Sequence, residues 1–105
     1  MKNGSKLYVR IDYKVGEKVI THQDLQDHLD YVKNVASKQY FMGGVFSNAT
    51  EGMCLFEAEN LEEAQKITQC DPIIERGLYR SEIFEWVLVV LSEQAKEWFS
   101  ENNAT

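Results

Sequence analysis

Apolar and polar residues alternate from Leu7 to Val15, with Leu7, Val9, Ile11, Tyr13 and Val15 set against Tyr8, Arg10, Asp12 and Lys14. A period of two is the pattern of a strand with one buried face, and the odd-numbered set is the side expected inside. Gly16-Glu17-Lys18 turns the chain. The period then changes. Thr21 with Asp24 three residues on resembles a capping box, and Leu25, Leu29, Val32, Val35 and Ala36 follow at helical spacing, which predicts a helix to about Ser37. A second strand over 41–46 is interrupted by Gly43-Gly44. Ser47 to Gly52 is a polar hairpin loop, and Met53 to Glu59 a third strand. Asn60 with Glu63 opens a second helix that faces inward through Leu61, Ala64 and Ile67. Asp71-Pro72 closes it, a brief turn runs to Gly77, and Glu82 to Leu91 is the fourth strand. A terminal helix capped by Ser92 carries Ala95, Trp98 and Phe99.

This order predicts an α+β, ferredoxin-like β-α-β-β-α-β fold: a four-stranded antiparallel sheet with helices on one face, plus the C-terminal helix. No linker or repeat interrupts it. The expectation is a single domain over 1–105, with its core at about 7–91 and the terminal helix at about 92–103. Strands three and four are apolar on both sides. Met53 and Leu55 oppose Cys54 and Phe56, while Val87 and Val89 oppose Trp86, Leu88 and Val90. Such strands need cover on both faces, and a large exposed apolar patch invites association. A second subunit packed sheet to sheet is expected, giving a homodimer.

Composition narrows the function. The 105 residues are 44% apolar and 27% charged, ordinary globular values. A net charge of −6 with 11 Lys+Arg and no basic cluster argues against nucleic acid or an anionic membrane as partner. No apolar run reaches membrane-spanning length, and no signal-peptide hydrophobic region follows Met1-Lys2-Asn3-Gly4-Ser5-Lys6. Cys54 and Cys70 are read as small core hydrophobes, not a disulfide pair. Asn48-Ala49-Thr50 and Asn103-Ala104-Thr105 fit the glycosylation pattern but are discounted without a secretory signal. A cytoplasmic location is expected.

Two polar residues stand where hydrocarbon is expected. His28 follows Leu25 by three and precedes Val32 by four, on the apolar stripe of the first helix. Asp71 lies four after Ile67, at the edge of the second helix's inward face. Both helices pack on the same side of the sheet, so the two side chains can meet. A carboxylate accepting from one ring nitrogen fixes the tautomer and makes the other nitrogen a better base. Each residue also has a plain structural reading: His28 as a hydrogen-bonded core residue, Asp71-Pro72 as a cap and first helical position. Asp24, four residues before His28, is a competing partner. His22 and His28 point about 240° apart around a helix, so no metal site is expected.

In order and spacing, His28-Leu29-Asp30-Tyr31-Val32, Gly43-Gly44, Leu61-Glu62-Glu63-Ala64 and Asp71-Pro72 resemble the YCII-related (YciI-like) proteins, over about residues 7 to 91. The resemblance implies a ferredoxin-like fold paired into a dimeric α/β barrel, and a histidine–aspartate active site at His28 and Asp71. Family members often carry an arginine shortly before the histidine. This chain has His22, Gln23, Asp24 and Leu25 there, so no arginine-held anion is implied at that point.

The functional expectation is a cofactor-free enzyme doing acid–base chemistry, elimination or isomerisation, on a small polar or aromatic organic substrate. His28 and Asp71 are the catalytic candidates, and Tyr8, Gly43, Gly44 and Ser47 the substrate-contacting ones. No nucleophile elbow, phosphate loop or dinucleotide fingerprint accompanies them. The alternative is a non-catalytic small-molecule-binding or assembly module, with a cleft lined by Tyr8, Phe41 and Met42. A third possibility is a relation to the haem-degrading and quinol monooxygenases, though nothing marks a haem ligand.

Overall fold

The computed structural model describes residues 1, 4–47 and 49–97. Four strands, β1 (Lys6–Lys14), β2 (Phe41–Val45), β3 (Gly52–Ala58) and β4 (Tyr79–Trp86), alternate with helices α1 (His22–Ala36), α2 (Leu61–Gln69) and α3 (Pro72–Glu75), before the single turn α4 (Glu93–Lys96). The strands form one antiparallel sheet in the order β2-β3-β1-β4, the ferredoxin-like arrangement.

The predicted caps form. The Thr21 hydroxyl accepts from the Asp24 N–H while the Asp24 carboxylate accepts from the Thr21 N–H, at 3.0 and 2.9 Å, so Asp serves as the box partner at α1. Asn60 accepts from the Glu63 N–H at 2.8 Å at the start of α2. Ser92 caps α4 through the Ala95 N–H at 3.2 Å. Trp98 and Phe99 of the expected terminal helix, and Asn48 and Asn103 of the two glycosylation patterns, lie outside the described residues.

The faces of β1 are the reverse of the expected ones. Register pairs Tyr8 with Phe56 and Arg10 with Cys54, and Phe41 with Phe56. This row faces the helices, where Tyr8, Cys54, Phe56, Ala58 and Ala64 form the core with Phe41, Ile67 and Ile83 against it. The Phe56 ring lies 6.3 Å from Tyr8 and 6.0 Å from Phe41, tilted contacts typical of packed aromatics. Val9 and Ile11 go to the other face, which they share with Leu55, Met42, Met53, Phe84 and Trp86. Period two shows that two faces differ but not which one the helices cover.

Three further expectations are corrected. β4 runs over 79–86, not 82–91. It starts early because Gly77, at φ 70°, reverses the chain, and because the Val15 N–H bonds the Leu78 carbonyl at 2.9 Å. It stops at Trp86 because that residue pairs with Leu7, next to the start of β1, and among the described residues Val87–Leu91 have no strand beside them. Cys70 is exposed at the end of α2, so only Cys54 is a core thiol, and neither is bridged. Ala36 and Leu61 are exposed as well, at the last position of α1 and the first of α2.

Candidate functional site

His28 and Asp71 meet. The imidazole Nδ1 lies 2.8 Å from Asp71 Oδ1 and 2.9 Å from Oδ2. A carboxylate only accepts, so this geometry puts the proton on Nδ1 and leaves Nε2 free for other work. The His28 side chain is 23% exposed, whereas Asp71 is fully buried. Asp24 is not the partner of His28: its carboxylate is taken by the Thr21 cap and by Arg76 Nη1 at 2.8 Å. The capping reading of Asp71 also holds, since Oδ1 accepts from the Ile73 N–H at 3.2 Å at the start of α3. Cap and dyad are the same carboxylate.

A third charged residue completes the cluster. Arg10, 1% exposed in the middle of β1, donates from Nη2 to Asp71 Oδ2 at 2.9 Å and from Nε to Asp12 Oδ1 at 2.7 Å. The Ser81 hydroxyl on β4 donates to the same Asp12 oxygen. Burial pushes the Asp71 carboxyl up, but the hydrogen bond from His28 and the charge of Arg10 outweigh it and hold the group below its ordinary value. Burial disfavours the Arg10 charge, yet the Asp12 and Asp71 carboxylates raise it above the usual guanidinium value. Both stay ionised at neutral pH.

The cluster forms one wall of a cleft of about 290 Å³ between α1 and the sheet. Leu25, Leu29 and Val32 of α1, Phe41 of β2 and Cys54 of β3 give it an apolar lining, with Asp12, Thr50 and Tyr79 as polar points. Leu25 and Leu29, expected in the core, are each 44% exposed because they face this cleft. The Tyr79 phenol donates to the Thr50 carbonyl at 3.1 Å, and burial and the Asp12 charge raise its pKa. Burial pushes the Cys54 thiol up to about 12, so it is no nucleophile at neutral pH.

Of the expected substrate contacts, Gly43 and Gly44 line the cleft. Tyr8 does not. It is 1% exposed within the core, and its hydroxyl has no hydrogen-bond partner among the described residues. Ser47 is exposed in the β2–β3 loop, away from the lining, and Met42 lies on the opposite sheet face because it neighbours the inward Gly43. Among the described residues no group of His, Cys, Asp and Glu has the makings of a metal site. Arg10, Asp12 and Tyr79 are the residues that sequence reasoning missed. Their signal was an Arg and an Asp two apart on one face of a strand, beside a Tyr that had no reason to be exposed.

Fold and cleft together define an α+β protein of ferredoxin-like plan with a histidine–carboxylate pair opening between helix and sheet. The chain belongs to the YCII-related domain family, whose model matches residues 7–87. Over 72 residues it is 39% identical to the uncharacterized protein YjpA of Bacillus subtilis (strain 168), a match covering 69% of this chain and 79% of that protein. Among solved structures, the de novo designed protein Foldit4 matches at 13% identity and a TM-score of 0.46, over 81% of this chain and 98% of that one.

Proposed function

We propose that this protein is a cofactor-free acid–base catalyst acting on a small organic molecule, with His28 Nε2 as the proton-transfer group and Asp71 orienting the ring. The observation that carries the reading is the contact of Nδ1 with both Asp71 oxygens while the ring borders an enterable cleft. A positioned imidazole contributes roughly 10²–10⁴-fold to such a reaction, which suits elimination or isomerisation. The substrate is mostly apolar, as is the lining.

The working form is a homodimer in this proposal. Phe84 at 51% exposure, Trp86 at 46% and Met53 at 44% support it, since they share one sheet face with Val9, Ile11 and Leu55. Two unbridged cysteines suit the reducing cytoplasm, where we place it.

The test is a screen of small organic molecules for binding by thermal shift and for conversion by mass spectrometry. His28→Ala is expected to abolish conversion while the protein stays folded, and Asp71→Asn to reduce it. The wild-type rate should show one ionisation, and the residual rate of Asp71→Asn should show it displaced. Binding that survives His28→Ala with no conversion by either protein would replace the catalyst with a binding module.

A further inference from the structure

Arg10 has the charge of an anion receptor and lines the cleft, but its bonds point elsewhere. We infer that Arg10 is the positioning residue of the site, clamping Asp71 against His28 from the sheet, and that the cleft therefore takes ligands without a carboxylate or phosphate group. The inference rests on the acid–base reading and deepens it.

Three elements supply the cluster: β1 gives Arg10, the junction of α2 and α3 gives Asp71, and α1 gives His28. α1 is tied to α2 by the Tyr31 hydroxyl, which donates to the Ile67 carbonyl at 2.7 Å. It is tied to the end of α3 by Arg76, which donates to Asp24 and Asp27 at 2.8 Å, but none of these bonds reaches the Asp71 carboxylate. The sheet is the rigid part. Arg10 sits in its interior, its backbone paired with Cys54 on one side and Ile83 on the other. Its fork is divided between Asp71 and Asp12, and Asp12 is itself held by Ser81 across the β1–β4 ladder. The planar guanidinium can satisfy two carboxylates at once, which an ammonium cannot do with fixed directions. The Asp71 carboxylate is thereby aimed by β1, and the imidazole by Asp71.

Charge decides the ligand class. Among the described residues Arg10 is the only Lys or Arg lining the cleft, and two carboxylates face it. With a neutral imidazole the cluster is one negative charge in excess. An anionic ligand meets a guanidinium whose charge Asp71 and Asp12 already balance, and must face Asp12 at low dielectric, whereas an uncharged ligand with a hydrogen-bonding group needs only Nε2.

The experiment uses uniformly ¹³C,¹⁵N-labelled full chain. Long-range ¹H–¹⁵N spectra above pH 8 read the His28 tautomer, with His28→Ala identifying its signals against His22, and ¹³C carboxyl spectra read the Asp71 titration. The wild type is expected to hold the Nδ1–H tautomer almost alone. Arg10→Met should move the Asp71 midpoint upward and bring in the Nε2–H tautomer. Arg10→Lys should fall between the two, and it carries the same test if Arg10→Met lacks a native circular dichroism spectrum. Arg10 variants that match the wild type in both readouts overturn the clamp while leaving the His28–Asp71 pair standing. A wild type with the proton on Nε2 instead overturns the acid–base reading, and the clamp with it. For the ligand class, benzyl alcohol and benzoate are titrated at pH 8 and followed at the Gly43 and Thr50 amides. Benzoate should be about tenfold the weaker, a difference of about 1.4 kcal/mol. A response to benzoate equal to or stronger than that to benzyl alcohol overturns the charge argument.

Discussion

Three donors converge on the two oxygens of Asp71: the His28 ring, the Arg10 guanidinium and the Ile73 N–H. The carboxylate is fully buried, so each donor stands in for lost hydration. Removing one partner of a buried pair leaves the other charged and alone, which typically costs about 3–5 kcal/mol. Asp71→Ala is therefore expected to lower stability toward that amount, since it leaves Arg10 with Asp12 alone and removes the cap of α3. His28→Ala leaves Arg10 and Asp71 paired and should cost only about 1 kcal/mol, the usual worth of one hydrogen bond. Urea denaturation of the two variants checks the order, and equal losses would show that His28 is a core residue instead. The pH dependence follows from the same carboxylate. Asp71, Asp24 and Asp27 all lie below the ordinary value of 3.8 in the folded chain. The unfolded chain binds these protons more readily, so their stabilisation is complete above about pH 5 and is lost as pH falls through the lower folded values. The urea midpoint should fall steeply below about pH 4 in the wild type and less steeply in Asp71→Asn.

At the scale of elements, β2 shows how the cleft obtains its width. A Cβ at Gly43 would stand 3.0 Å from the Cys54 Cβ and 3.3 Å from the Phe41 ring, whereas one at Gly44 would meet nothing within 4 Å. Gly43→Val should destabilise the fold by about 1–3 kcal/mol through overpacking. Gly44→Ala should be neutral or slightly stabilising, because the smaller gain in unfolded-chain freedom favours the folded state. Thermal melts separate the two, and equal tolerance at both glycines would mean that the Cys54 side can yield. Helix ends were legible because capping is local: Thr21, Asn60 and Ser92 each bond within three residues. The end of β4 was not, because Val87 to Leu91 have every local property of a strand and lack only a neighbour.

For the whole molecule, the open sheet face is the feature that the helices leave unfinished. Val9 and Ile11 lie there, where alternation alone had put them in the core, so the face is more apolar than the sequence reading expected. Light scattering is expected to give twice the chain mass, and Leu55→Asp to shift it toward a monomer or to aggregation. A wild-type monomer at micromolar concentration would remove the homodimer from the proposal. What the sequence determined by itself was whatever depends on near neighbours: the order of elements, their caps, the turn glycines, and the two polar residues out of place. Helical spacing was enough to put His28 on an apolar stripe and Asp71 at a helix edge. Which side of β1 the helices cover was decided only by tertiary structure, because both faces could be buried and packing of Phe56 between Tyr8 and Phe41 selected one. That choice carried Arg10 and Asp12 inside. An ion pair between residues 61 positions apart has no local signature, and so the residue that joins the dyad to the sheet became visible only once the chain was folded.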